Sequence, residues 1–160
     1  KQCRAVLAGA PDESLPEAGT LRDYLFKDSR KGRVFPVSRP RKGVREAVLE
    51  YRITATNGVL SLADITLHTG RTHQIRVQFA HAGFPLLGDT KYGMAALKEA
   101  MPAQKYRGVA LCAYSLELVH PISGKKMGFR VVPKNPVFAG FAMKELKKLT
   151  ENETGISKRG

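Results

Sequence analysis

The chain has 160 residues, 42% of them hydrophobic and 26% charged, which suits one domain with a real core. No apolar run approaches the ~18 residues of a membrane-spanning helix and no signal peptide is visible, so a helical membrane protein is excluded. Against 14 acidic residues stand 27 basic ones, a net charge of +13, which points to a polyanionic partner such as RNA, DNA or an anionic membrane.

In chain order, residues 2–8 read as a strand. PDESLPEAGT (11–20) is an acidic loop broken by Pro and Gly. Residues 21–46 are basic and weakly periodic, and are expected to form an irregular arm across a surface. Between Lys27 and Arg45 lie eight basic residues, Arg39, Arg41 and Lys42 among them, against Asp28 alone. AVLEYRITA (47–55) alternates, with Ala47, Leu49, Tyr51 and Ile53 on one face. Asn57-Gly58 follows, the preferred pair for a type I′ turn, and VLSLADITL (59–67) returns as the second strand of a hairpin. Tyr51 is therefore expected on a central strand, on the core face.

Thr69-Gly70 ends that strand, and Thr72 is placed to cap a helix. Ile75, Phe79 and Ala82 recur at helical spacing and should face the core, with Gly83 as the stop and Pro85 preventing resumption. Arg76 falls beside the apolar stripe, where an unpaired guanidinium is costly. After the turn LLGDTKYG, residues 94–101 read as a short helix. VALCAYSLELV (109–119) and MGFRVV (127–132) form a second hairpin. Residues 137–149 read as a last helix, and 151–160 as a polar tail. Three or four antiparallel strands with helices between them make an α+β domain. Cys3 and Cys112 are too few for a disulfide scaffold or a zinc site. Cys112, inside an apolar strand pattern, is expected to be a buried thiol, and a reducing cytoplasm fits.

Arg71, His73, Gln74 and Arg76 open a helix directly after a strand. Free N–H groups and the positive dipole end there favour an anion, a phosphate or carboxylate. The plainer reading is that Arg76 pairs with a nearby acid and His73 bonds backbone. His73 and His81 are eight positions apart, which is not a chelating spacing, and no metal site is expected. No Gly-rich nucleotide loop occurs, and no Ser or Cys sits in a nucleophile elbow.

TGRTHQIRVQFAHAGFPLLGDTKYG (69–93) resembles the signature of the RluA-type RNA pseudouridine synthases, roughly TGRTHQIRxHxxxxGxPxxGDxxYG. It departs from the pattern at Gln78, where the family has His, a change expected to matter little because both side chains hydrogen bond. AVLEYRI resembles the family's Tyr-Arg strand and LCAYSLELVHPISGKKMGFRVVP its C-terminal hairpin, so the likeness runs from residue 1 to about 135. It implies isomerisation of uridine to pseudouridine in ribosomal or transfer RNA, with the base flipped into a cleft, an essential aspartate, and no cofactor or metal. It implies a mixed, mostly antiparallel sheet with flanking helices, residues 1–150 being the C-terminal part of the catalytic domain.

By the same resemblance, Tyr51 matches a tyrosine that stacks on the base, and Arg76 an arginine that pairs with the catalytic aspartate. Thr72, His73 and Gln74 are expected mostly to scaffold the strand-to-helix junction; Arg71, His73, Lys91, Arg39, Arg41 and Lys42 are the candidate RNA contacts, with Gly88, Asp89, Tyr92 and Gly93 a structural turn. The family's aspartate sits in a His-Arg-Leu-Asp motif, which this sequence lacks. Because the chain opens on KQCRAVLAG, without Met, the nucleophile is expected upstream of Lys1. Arg76 is then expected to lack its partner here, and these residues alone are expected to be inactive. Two other readings stay open: an RNA-binding module that kept the cleft and lost the chemistry, and a basic ribosomal protein, which leaves the TGRTHQIR motif unexplained.

Overall fold

The structure, a computed structural model, describes residues 1–93 and 108–141. Its strands are β1 (Gln2–Ala8), β2 (Ala18–Asp28), β3 (Arg33–Val37), β4 (Val44–Thr56), β5 (Leu60–Leu67), β6 (Leu111–Val119) and β7 (Lys126–Arg130). They form one seven-stranded sheet in the order β3-β2-β4-β5-β1-β6-β7. Every pairing is antiparallel. Helix α1 (Gln74–His81) follows β5, and a second helix, α2, occupies 136–141.

The sheet has more strands than the sequence suggests because the basic segment is no irregular arm. β2 pairs with β4 from Ala18↔Arg52 to Phe26↔Val44, and β3 pairs back on β2. The alternation of β2 is masked by Asp23, which points to the helix side of the sheet and binds Gln78 and His81 there. Pro36 disguises β3, but β3 is an edge strand and its outer side needs no donor.

The β4–β5 hairpin forms as expected, with Ala47, Leu49 and Tyr51 buried and Ile53 half-buried on one face. Its turn is not type I′, since of Asn57 and Gly58 only Gly58 has a positive φ, of 86°. Asn57 instead accepts the amide N–H groups of Val59 and Leu60 on its side-chain oxygen, which fixes a wider loop.

Both faces of the central strands are covered, while β7 is exposed along its whole length. Cys3, Ala5, Leu7, Leu49, Tyr51 and Ile65 meet Ile75 and Phe79 of α1 on one face. Val6, Leu60 and Leu62 meet Phe138 and Phe141 of α2 on the other. Phe79 is fully buried; excluding a side chain of that size from water contributes roughly 1.5–3 kcal/mol. The cysteines follow this division. Cys3 lies opposite Ala113 and Arg4 opposite Cys112, so the thiols point to different faces and do not pair. Cys3 is the buried one and Cys112 only half-buried, the reverse of the emphasis the strand pattern suggests. Burial pushes the Cys3 thiol above its ordinary pKa.

The segment after α1 is threaded tightly. Gly83 has φ 89° and ends the helix. Leu87 donates to Val6, and Ala110 to Leu87, which pins the chain beside β1. Gly88 has φ 75°, and a Cβ there would stand 2.1 Å from the carbonyl oxygen of Gly108, so only glycine fits. The expected helix at 94–101, the part of the last helix beyond 141 and the tail at 151–160 lie outside the described residues.

Candidate active site

The strand-to-helix junction is built by side chains, though not by the cap the sequence suggests. Thr72 is exposed and the N-cap position is His73, with no side-chain cap bond. His73 has φ 52° and ψ 23°, the left-handed region, and among the described residues no other non-glycine has a positive φ. Gln74, 3% exposed, holds the bend. Its side-chain oxygen accepts the Arg71 N–H at 2.9 Å and the Thr69 hydroxyl at 2.9 Å, and its amide donates to the Val48 carbonyl at 3.1 Å. Thr69 in turn accepts the Val48 N–H at 2.8 Å. Buried polar groups at a chain reversal are thus satisfied against β4, which fixes where α1 starts.

That start aims Arg76 at the GDTKYG turn. Its Nε and Nη2 donate to the two oxygens of Asp89, each at 2.7 Å, a bidentate pair. Asp89 is fully buried, the Arg76 side chain 20% exposed. Asp89 also accepts the backbone N–H groups of Lys91 and Tyr92, each at 3.0 Å. Burial alone would raise the Asp89 pKa, but the bonds from Arg76 and from those two amides outweigh it and hold the carboxyl below its ordinary value. The same Asp89 bonds raise the pKa of Arg76. Arg76 therefore has a partner inside this chain, which corrects the expectation that it lacks one; the plainer reading of a nearby acid is what the structure contains. Its Nη1 makes no hydrogen bond with any described residue.

Tyr92 gathers the cations. Its ring lies 5.1 Å from the Arg76 guanidinium and 5.2 Å from that of Arg33. Its hydroxyl accepts the Val34 N–H at 3.0 Å and meets Nδ1 of His73 at 2.8 Å. Burial, then the charges of Arg76 and Lys91, lower the His73 pKa. Lys91 donates to the Gly32 carbonyl, and Arg33 to the Lys91 carbonyl, tying this turn to the β2–β3 turn.

The structure thus brings His73, Arg76 and Lys91 together with Arg33, Asp89 and Tyr92. Arg71 is exposed beside them, its Nε donating to the Glu46 carbonyl at 2.9 Å. Arg39, Arg41 and Lys42 are exposed in the β3–β4 connection, with Arg41 over the Phe26 ring. That connection leaves the opposite end of the five-residue β3 from Arg33, roughly 15 Å away.

Tyr51 sits in the core. It is 5% exposed, edge-on to Phe79 with ring centres 5.6 Å apart, and a Cβ on Gly19 would come within 3.0 Å of its hydroxyl. Burial raises its pKa.

Gln78 does what the departure from the family pattern requires only in part. Its amide donates to Asp23 at 2.8 Å and to the Ala47 carbonyl at 3.2 Å, but its own side-chain oxygen is buried without a partner among the described residues. Sequence reasoning missed the roles of Arg33, Asp89 and Tyr92. The available signal was Arg76 itself, a charge at the core boundary that needed an acid within reach.

The described residues contain no cluster of His, Cys, Asp and Glu able to hold a metal ion, and no helix long and apolar enough to cross a membrane. All five aspartates of the chain are engaged. Asp12 binds Ser14, Asp23 binds Gln78 and His81, and Asp28 accepts backbone amides. Asp64 pairs with Arg4, and Asp89 with Arg76.

Comparison with known proteins identifies the family and the fold. A Chlorobaculum parvum protein described as an uncharacterized RNA pseudouridine synthase is 33% identical over 142 residues, covering 81% of this chain and 42% of the relative. Ribosomal large subunit pseudouridine synthase D of Haemophilus influenzae is 39% identical over 126 residues, covering 74% of this chain and 35% of the relative. The chain thus spans well under half the length of these relatives. The solved human RNA pseudouridylate synthase domain containing 1 shares the fold, with a TM-score of 0.66 at 21% identity over 83% of this chain and 54% of that one. The sequence profile described as RNA pseudouridylate synthase matches residues 2–81, half of the chain, and the chain belongs to that family.

Proposed function

We propose that this chain supplies the arginine half of the catalytic pair in an RNA pseudouridine synthase, which isomerises uridine in RNA after flipping the base from its stack. The observation that carries the reading is the state of Arg76. Asp89 occupies one edge of its guanidinium, while Nη1 is left with no described partner on a side chain that is 20% exposed. An arginine clamped on one edge is preorganised to grip a second anion on the other.

Asp89 is not that second anion. It is fully buried under Arg76 and two backbone amides, so neither base nor ribose can reach it. The other four aspartates are committed to partners elsewhere. We therefore assign the reacting aspartate to protein outside these 160 residues, and the chain by itself does not turn over. No cofactor or metal takes part in this reading.

The partner is RNA, and the names of the relatives favour ribosomal over transfer RNA. The site of action is the cytoplasm. The exposed cations Arg39, Arg41, Lys42 and Arg71, with Lys91 at the rim, bind phosphates. The resemblance has Tyr51 stack on the base; its 5% exposure and its edge contact with Phe79 support a positioning role instead, holding α1 in place. The alternative, an RNA-binding module without chemistry, keeps the cations and needs no free edge on Arg76.

The test is to map pseudouridines in RNA from cells deleted for the gene and complemented with the natural protein or its Arg76→Ala variant. A uridine modified only with the natural protein supports the enzyme. Equal modification by both removes Arg76 from the chemistry.

A further inference from the structure

We propose that the groove between β3 and α1 is a second RNA subsite, holding a nucleotide that flanks the target uridine. Its phosphate would rest on Lys31 and Arg33, and its base on the apolar floor of Val34, Pro36 and Ala80. The proposal rests on the RNA reading above and adds a place on the protein for the strand around the flipped base.

The groove has a volume of about 440 Å³, within the ~300–1,000 Å³ of small-ligand sites. β3 forms one wall and α1 the other, with Tyr92 and His81 also lining it. Lys31 and Arg33 are exposed, and among the described residues no carboxylate lines the groove. Two acids bind lining residues from outside the groove: Asp23, whose two oxygens are taken by Gln78 and His81, and Asp28, which accepts the Lys31 backbone N–H and leaves the Lys31 ammonium to the groove. An apolar floor under a cationic rim matches a nucleotide, which has a flat base and a charged backbone.

Position decides between a nucleotide of the substrate and an unrelated ligand. Tyr92 lines the groove, and its ring also carries the Arg76 guanidinium 5.1 Å from its centre. Arg33 stacks on the same ring. The proposed reacting site and the groove are therefore one ring apart. Flipping a base unstacks its neighbours, and exposed bases next to the reacting one need a new surface to rest on.

The test measures binding of a labelled single-stranded RNA to the full 160-residue chain by fluorescence anisotropy at low salt. Ala80→Leu fills the floor with a good helix former. It should weaken binding about tenfold with an unchanged thermal melt. Lys31→Ala should lower the slope of log affinity against log salt by about 0.7. Photo-crosslinking with 4-thiouridine in the RNA should label the peptides around 31–37 or 80–81, and this arm also decides if Ala80→Leu disturbs the fold.

If natural-sequence protein binds RNA but crosslinks only elsewhere, or Ala80→Leu binds within twofold, the groove is not a subsite and the RNA reading stands. If natural-sequence protein binds no RNA, both fail.

Discussion

Replacing Asp89 with Asn tests the Arg76 anchor while barely changing volume. The Asp89 carboxylate accepts four hydrogen bonds, two from Arg76 and one each from the Lys91 and Tyr92 amides. In Asp89→Asn one acceptor oxygen becomes an NH2 donor and the negative charge disappears. Either the Arg76 Nε or the Nη2 bond is lost, and the guanidinium keeps its desolvation without its counter-charge. Breaking a buried pair by removing one partner costs about 3–5 kcal/mol. Arg76 is 20% exposed and can relax toward water, so the lower part of that range, about 3 kcal/mol, is expected. For a chain of this size that is a fall in Tm of roughly 6–12 °C, measured by circular dichroism. In the cycle with Arg76→Met, the double variant should lose less than the sum of the singles, by at least ~1 kcal/mol. A Tm within 2 °C of the natural sequence, or additive single effects, would show that the pair does not hold this turn.

The charge-reversed variant Arg39→Glu/Arg41→Glu/Lys42→Glu should keep its melt and lose RNA affinity at low salt, with a shallower salt dependence measured by anisotropy; equal affinity would remove the β3–β4 connection from the RNA surface. The pKa of His73 is lowered by burial and by the charges of Arg76 and Lys91, so the unfolded chain binds its proton first. Stability from this group is present above the unfolded value of about 6.5 and is lost as pH falls below it. A Tm scan from pH 7.5 to about 5 should therefore slope downward, and His73→Gln should flatten that slope. Asp89 adds a second loss in stronger acid, below the usual carboxylate range, as its depressed pKa is passed. Gly88→Ala should cost at least ~2 kcal/mol, because φ 75° and the Gly108 carbonyl at 2.1 Å both exclude a Cβ; a melt equal to the natural sequence would contradict the close approach.

What the sequence made legible was the periodic and the locally determined. β4, β5 and the buried side of α1 follow from alternation and helical spacing, since apolar side chains there meet only other apolar side chains. β2 and β3 were hidden because their inward faces carry Asp23, whose partners are fifty-odd positions later, and because Pro36 is harmless only on an edge that topology creates. Thr72 looked like a cap by residue type. Gln74 was legible as scaffolding of the strand-to-helix junction, but its reach back to β4 is a long-range contact no local pattern encodes. Arg76 was legible as a residue needing an acid, yet the acid expected was the reacting one. Asp89, within thirteen positions, was read as part of a turn, and only the fold shows the turn delivering its carboxylate under the helix.

The most direct measurement is tritium release from RNA carrying uridine tritiated at C5. It compares the 160-residue chain, the full gene product that contains it, and that product with Arg76→Ala. The account predicts no release by the chain alone, release by the full product, and a loss of about a hundredfold or more with Arg76→Ala. Release by the isolated chain, or undiminished release after Arg76→Ala, would contradict the claim that Arg76 serves an aspartate supplied from elsewhere.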